Sequence, residues 1–187
     1  MNLVRSDAVE PQPWRNGGGL TRELLAWPSR EHWALRISVA DIRADGPFSA
    51  FPGVDRWFAV LEGAGVMLGL PEGRRCIEAG SPLLAFRGEA APDCELLDGA
   101  TRDLNLMIQR GSGHGAMQRA LAGEDFGPHA RFRALFAADA LMLQIDGTDA
   151  LRMPPFALAW SDGARGTWRI AADAPVRAWW IHFEPNA

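Results

Sequence analysis

The chain has 187 residues and 20.4 kDa, 48% of them hydrophobic and 22% charged, which is enough apolar material for a real core and too few charges for disorder. One domain or two small ones fit that length, burying about 70% of the surface of the unfolded chain. A formal charge of −4 without a basic cluster argues against a nucleic-acid partner, and no apolar run approaches the roughly 20 residues of a membrane span, so a cytoplasmic location is expected.

Twenty glycines and thirteen prolines divide the sequence into apolar runs of strand length, the rhythm of an all-β protein. Trp33–Val39 alternates, with Trp33, Leu35, Ile37 and Val39 on one face and Arg36 and Ser38 on the other. Arg56–Glu62 is apolar through its middle, as in a strand covered on both faces. Glu62-Gly63-Ala64-Gly65 then turns the chain into Val66–Leu70, and Pro71-Glu72-Gly73 closes that unit.

Further strands are expected over 83–86, 94–97 and 104–108, where Asn105 and Met107 oppose Leu104, Leu106 and Ile108. Gly111-Ser112-Gly113-His114-Gly115 has linker composition and sets a boundary, giving halves 1–110 and 111–187, with N-terminal strands open to exchange between them. Residues 132–143 fit either helical or strand spacing, with a strand favoured from Ala140 to Ile145 ahead of a turn at Asp146-Gly147. Runs at 156–160, 166–170 and 176–183 complete a second β-rich half, the last of them readable as core or as interface.

Most catalytic chemistries find no support. All 19 basic residues are arginines and tyrosine is absent, which removes lysine Schiff bases, a P-loop lysine and phenolic acid-base catalysis. The four histidines, His32, His114, His129 and His182, stand apart from one another and from any carboxylate at a ligand-like offset, so no metal is expected. No serine sits in a nucleophile elbow, and Cys76 and Cys94 read as reduced, buried thiols. Gly17-Gly18-Gly19 lacks the strand-before, helix-after setting of a phosphate loop and reads as a tight backbone bend.

A set of polar residues in apolar strands is harder to dismiss. Arg36 and Ser38 lie in one strand, Asp55 and Arg56 open another, and Arg102 and Asp103 lead into Leu104 with Asn105 on the face of Asp103. If those faces line a barrel interior they meet, and a buried guanidinium there must be matched. Either Arg36 or Arg56 pairs with Asp103, Asp55 or Glu62, or one arginine stays free to grip an incoming carboxylate or phosphate as a fork. Trp14, Asn16 and the glycine bend form a second candidate, and the loop Asp45–Gly53 could rim a pocket.

The motifs Pro13-Trp14-Arg15-Asn16-Gly17-Gly18-Gly19 with Thr21-Arg22-Glu23, Trp33–Ser38, Asp45-Gly46-Pro47-Phe48-Ser49 through Arg56, Leu61-Glu62-Gly63, Leu97-Asp98-Gly99 and Arg102–Met107 together resemble the HutD/Ves family of bacteria. The match is specific over residues 13 to 110 and diffuse beyond. The resemblance implies a bicupin, two RmlC-like jelly-roll barrels in one chain, cytoplasmic and without established catalysis. HutD members are associated with tuning histidine utilisation and with a small metabolite such as formylglutamate, and Ves members with cold or environmental stress. Cupin enzymes hold a metal with histidines and a glutamate, a set this sequence lacks. The motifs carry over Asn16, Arg36, Arg56, Asp103 and Asn105 as pocket residues, with Trp14, Ser38 and Glu62 as weaker candidates.

The leading expectation is a metal-free bicupin with no cofactor that binds a small carboxylate in its first barrel and acts as a regulator or sensor. Arg36 or Arg56 would hold the carboxylate, Asn16 and Asn105 would bond an amide or formyl group, and Asp103 would orient an arginine. A metal-independent isomerase or hydrolase using Asp103 or Glu62 as base is the enzyme alternative, although acids paired with arginines would titrate low and serve poorly. A scaffold for another protein, or for a second copy in a homodimer, is the third.

Overall fold

The structure, a computed structural model, describes residues 1–127, 130–146, 148–163, 166–172 and 174–186. It is almost entirely antiparallel sheet, with two single 3-10 turns at Ser6–Ala8 and Gly88–Ala90 among the described residues. The chain divides into one compact unit of Glu10–Ser112 and another of Met1–Val9 with Gly113–Ala187. None of the helices is long and apolar enough to cross a membrane.

Strand β1 is Asn2–Arg5. The Glu10–Ser112 unit holds β2 (Gln12–Pro13), β3 (Gly19–Trp27), β4 (Leu35–Ile42), β5 (Gly46–Pro47), β6 (Val54–Glu62), β7 (Val66–Leu70), β8 (Gly73–Ile77), β9 (Leu84–Arg87), β10 (Asp93–Leu96) and β11 (Thr101–Gln109). They form a six-stranded sheet in the order β2-β3-β4-β11-β6-β9 and a four-stranded sheet in the order β5-β10-β7-β8. Phe48, Phe58, Val60, Val66, Leu68 and Ile77 are the heart of its apolar core.

The other unit holds β12 (Gly113–Arg119), β13 (Asp125–Phe126), β14 (Phe132–Ala137), β15 (Leu141–Ile145), β16 (Leu151–Met153), β17 (Ala157–Asp162), β18 (Trp168–Ala171) and β19 (Ala178–Pro185). Its sheets run β1-β17-β14-β19-β12 and β13-β18-β15-β16, around a core that includes Leu135, Leu143, Trp168 and Trp180. Phe126 stacks on Trp180 with ring centroids 4.6 Å apart.

Register positions the functional face. Along β4, β11 and β6 side chains alternate between the two faces of the sheet, and β11 lies between the other two. Met107 stands opposite both Arg36 and Arg56, Asn105 opposite Ser38 and Phe58, and Asp103 opposite Ala40 and Val60. Three polar-to-apolar rows thus cross one face, while Leu35, Ile37, Leu104, Leu106 and Ile108 are buried on the other.

Residues 1–9 fall in the second unit, an exchange of N-terminal strands that the sequence left open: β1 pairs with β17, Asn2 opposite Trp160 and Arg5 opposite Ala157, which satisfies backbone groups that would otherwise form an open sheet edge. Three readings need correction. Gly113 to Gly115 are not linker but the start of β12. A Cβ on Gly113 would lie 2.2 Å from the Glu184 carbonyl, so that glycine serves close strand approach rather than flexibility. Residues 132–137 are a strand, every one buried, because a strand covered on both faces loses the alternation that would distinguish it from a helix. Of the cysteines only Cys94 is buried, whereas Cys76 is exposed, as their registers opposite Leu68 and Met67 send them to opposite faces. The expected turn at Asp146-Gly147 falls partly outside the described residues, as does His129. Residues 178–185 form an interior strand between β14 and β12, with residues 178–181 and Phe183 buried, which assigns that apolar run to core.

The hairpin turn after β6 depends on Gly65. Its φ is +105° and a Cβ there would meet the Ile77 carbonyl at 2.3 Å, while the Thr101 hydroxyl lies 3.1 Å from both its amide and its carbonyl oxygen. Gly65→Ala is expected to destabilise the protein by about 2 to 3 kcal/mol, seen in urea as a lower midpoint with an unchanged slope.

Candidate functional site

The face carrying Arg36, Ser38, Arg56, Asp103, Asn105 and Met107 opens into a cavity of about 500 Å³ within the Glu10–Ser112 unit. Its rim comes from two loops. Pro13 to Asn16 enters from the glycine bend, and Pro47, Phe48, Ser49 and Phe51 enter from the loop that includes β5.

The bend is held by its own backbone. Trp14 N–H donates to the Gly19 carbonyl and Gly17 N–H to the Trp14 carbonyl, Gly17 has φ +73°, and Asn16 Oδ1 accepts from Gly18 N–H at 3.0 Å. A Cβ on Gly19 would meet the Asp41 carbonyl at 2.5 Å and the Trp14 indole at 3.1 Å. The ring therefore lies flat against backbone, its Nε1 donating to Thr21 Oγ1 at 2.7 Å, its edge against Phe48. Trp14 is thus both a core anchor and a wall of the cavity. Asn16 itself lines the cavity.

Arg56 is the unusual residue. It is 4% exposed, and its guanidinium carbon lies 5.2 Å, 5.6 Å and 5.0 Å from the ring centres of Phe48, Phe51 and Phe86. Its Nε and Nη1 have no hydrogen-bond partner, and no ion pair reaches it among the described residues. Burial draws its pKa down to about 10 against the opposing pull of Asp103, with Arg36 adding to the fall, so it remains a cation at neutral pH. Three aromatic faces offset only part of the lost hydration of a guanidinium.

Asp103 is 2% exposed and its Oδ1 also lacks a partner. Burial pushes its carboxyl up to about 8, Arg56 opposing and Asp41 adding to the rise. No Asp103–arginine ion pair is formed among the described residues, and the carboxyl's pKa moves up rather than down, because removal from water outweighs a guanidinium beyond salt-bridge reach. Asn105, 7% exposed, likewise presents an unpartnered Oδ1. Ser38 lines the wall beside it.

Arg36 is the partly neutralised arginine. Its Nε lies 2.9 Å from Glu23 Oε2, without a well-aligned N–H, and Glu23 also meets Arg30 at 3.2 Å. Its guanidinium rests 5.4 Å from the Trp33 ring. Glu62, read as a pocket candidate, is outside the cavity. A bulge between Arg102 and Asp103 brings Glu62 opposite Arg102, whose Nη1 donates to Glu62 at 2.9 Å while its Nε donates to Asp41 at 2.7 Å. Asp55 accepts from Arg110 at 2.8 Å. Arginines and acids on that side of the sheet neutralise one another, leaving the cavity with two guanidinium groups in its wall, Arg15 at its rim and one carboxyl.

Phe48 and Phe51 come from the loop expected to rim a pocket and Arg15 and Glu23 from the stretch around the glycine bend, but none of them was singled out, and Phe86 was missed by sequence reasoning. The i, i+2 spacing that placed Arg36 with Ser38 also places Glu23 on the Thr21 face, in register opposite Ser38 and Ala40. Among the described residues no three His, Cys, Asp or Glu side chains gather to hold a metal ion. The cavity's donor set, guanidinium groups beside one carboxyl, does not fit the metal of cupin enzymes.

The Asp103 shift is a stability statement. A carboxyl whose folded pKa is raised favours the folded state below its unfolded pKa, and that contribution is lost as pH rises through the folded value. Asp103→Asn is therefore expected to melt higher than the parent at about pH 8, with the advantage shrinking as pH falls toward about 5. Differential scanning fluorimetry across that range reads the slope, and a gap that widens on acidification would refute the assignment.

Comparisons with known proteins agree with this architecture. Residues 6–179 match the HutD family model. A protein of unknown function from Pseudomonas aeruginosa PAO1 superposes with a TM-score of 0.88 at 28% identity, covering 100% of this chain and 99% of that one. HutD from Pseudomonas fluorescens SBW25, in a formate condition, gives 0.87 at 27% identity with the same coverage. An oxalate decarboxylase variant from Bacillus subtilis gives 0.66 at 8% identity over 98% of this chain and 77% of that one, a likeness of fold alone. Among curated sequences, an uncharacterised 21.2 kDa protein in the hutC 3′ region of Pseudomonas putida is 39% identical over 114 residues, 57% of each chain. Protein Ves of Citrobacter koseri is 40% identical over 102 residues, 52% of each. The chain spans little more than half the length of the curated relatives it matches. The two sandwiches are cupin-type jelly rolls, and the chain belongs to the HutD family.

Proposed function

We propose that the Glu10–Ser112 unit binds a small carboxylate-bearing metabolite and that the protein acts as a sensor or regulator in the cytoplasm, in the setting of histidine utilisation. One observation carries the reading: Arg56 is a buried cation facing a cavity, with two of its nitrogens unpartnered. A protein that needed this charge only for structure would match it with an acid, since an unmatched buried ion costs several kcal/mol or more. A carboxylate from solution supplies the missing partner in a fork.

The remaining groups sort themselves around that anchor. Arg56 takes the carboxylate, Arg36 contributes at longer reach while tied to Glu23, and the Asn16 amide nitrogen and Asn105 Oδ1 bond a neutral amide or formyl group. Phe48 and Trp14 exclude water around the ligand. The hut-region relative and the formate condition of the P. fluorescens HutD structure favour a formylglutamate-like ligand over a phosphate.

The Asp103 carboxyl, with a pKa pushed up to about 8, is the one observation that favours a metal-independent isomerase or hydrolase, because groups that titrate near neutrality suit proton transfer. Among the described residues no other carboxyl or imidazole lines the cavity. Mass spectrometry of formylglutamate incubated with purified protein tests for turnover, and release of formate or an isomer would establish the enzyme.

For the binding role, Arg56→Met is expected to abolish thermal stabilisation by formylglutamate while leaving the ligand-free protein at least as stable as the parent, since an apolar side chain replaces an unmatched charge. Arg36→Ala is expected to weaken binding by about 2 kcal/mol, at the low end for a lost charged contact because Glu23 already shares that guanidinium. Full ligand-induced stabilisation in the Arg56→Met protein would refute the assignment.

A further inference from the structure

Resting on the carboxylate-binding reading, we infer that anion capture by Arg56 is coupled to the uptake of one proton, which Asp103 holds while the site is filled. The geometry is that of two acids competing for one cation. Arg56 and Asp103 both line the cavity, project from adjacent strands on the same face, and are buried with polar atoms unpartnered. When the cavity is empty, Arg56 is the guanidinium that favours an ionised Asp103 among the described residues. A ligand carboxylate on Arg56 cancels that charge and places a second negative group in the same water-poor hollow.

The other charged neighbours do not relieve the competition. Asp41 on β4 adds negative potential to Asp103, although its own carboxylate is committed to Arg22 and Arg102. Arg36 is tied to Glu23 on β3. From β10, Cys94 presents a thiol whose pKa is pushed up to about 12, by burial first and by Asp103 next, so it is neutral and offers no counter-charge. The residues opposite Asp103 on both neighbouring strands, Ala40 and Val60, offer it no polar side chain.

The balance is simple. Empty protein with ionised Asp103, one ligand carboxylate and one proton from the buffer give a complex in which Asp103 is a neutral carboxylic acid. Below the range where the empty site's Asp103 titrates, it already carries the proton and binding is insensitive to pH. Above that range the proton must be taken up, and affinity falls. Asp103 thus determines the charge of what the pocket admits, and makes occupancy respond to alkaline pH.

Isothermal titration calorimetry with formylglutamate, whose own carboxyls ionise far below this range, tests the coupling. From about pH 7 to about pH 9 the affinity of the parent protein is expected to fall by about tenfold. Paired buffers of different ionisation enthalpy should report proton uptake rising from near zero toward one across the same interval. Asp103→Asn, which holds no exchangeable charge, should bind with an affinity that does not vary over it. A decline that persists in Asp103→Asn would assign the titration to Arg56 and overturn the inference. PH-independent binding by the parent, without proton uptake, would overturn it even if the variant did not fold, while leaving carboxylate binding intact. No binding of formylglutamate or glutarate at either pH would instead overturn the carboxylate reading on which the coupling rests.

Discussion

A guanidinium placed in a sheet interior without an acid beside it governs the chemistry of this molecule. Arg56 projects from a strand whose neighbours on the same face, Phe58 and Val60, are core residues, so its charge is held among apolar side chains. The surrounding phenylalanines hold the cation by their faces and cannot neutralise it. The rise in Asp103's pKa, the unpartnered carbonyl of Asn105 and the hollow in front of them follow from one arrangement, in which the fold buries more hydrogen-bonding capacity than it satisfies.

The contrast with the opposite side of the same sheet shows that this is a local exception. There Arg22, Asp41, Arg102 and Glu62 form a continuous chain of ion pairs, at positions where water can still screen them. Along that chain each guanidinium meets an acid. At the cavity Arg56 meets none among the described residues, and strain of that kind tends to mark a functional position.

Much of the fold was legible because alternation is a strong signal in half-covered strands. The parity of Arg36 with Ser38 and of Asp103 with Asn105 followed from the period of two, and hence so did the face on which they meet. Three kinds of information were not in that pattern. A bulge at Arg102/Asp103 changes parity by a residue, which is why Glu62 left the cavity. Uniformly buried strands such as Phe132–Ala137 carry no alternation to read. Pairing of distant segments, above all β1 on β17, depends on which edge remains open after everything else has assembled. The sign of the Asp103 shift escaped for a related reason, since it hinges on a gap between two side chains that spacing alone does not measure.

That distant pairing also shapes how the chain comes into being. Asn2–Arg5 is made before the Glu10–Ser112 unit, and its neighbour Ala157–Asp162 only after that whole unit has emerged and had time to fold. Strand β1 must wait, without its partner, while an entire barrel is completed downstream of it. In vectorial synthesis the pocket-bearing unit can be folded before the other can close.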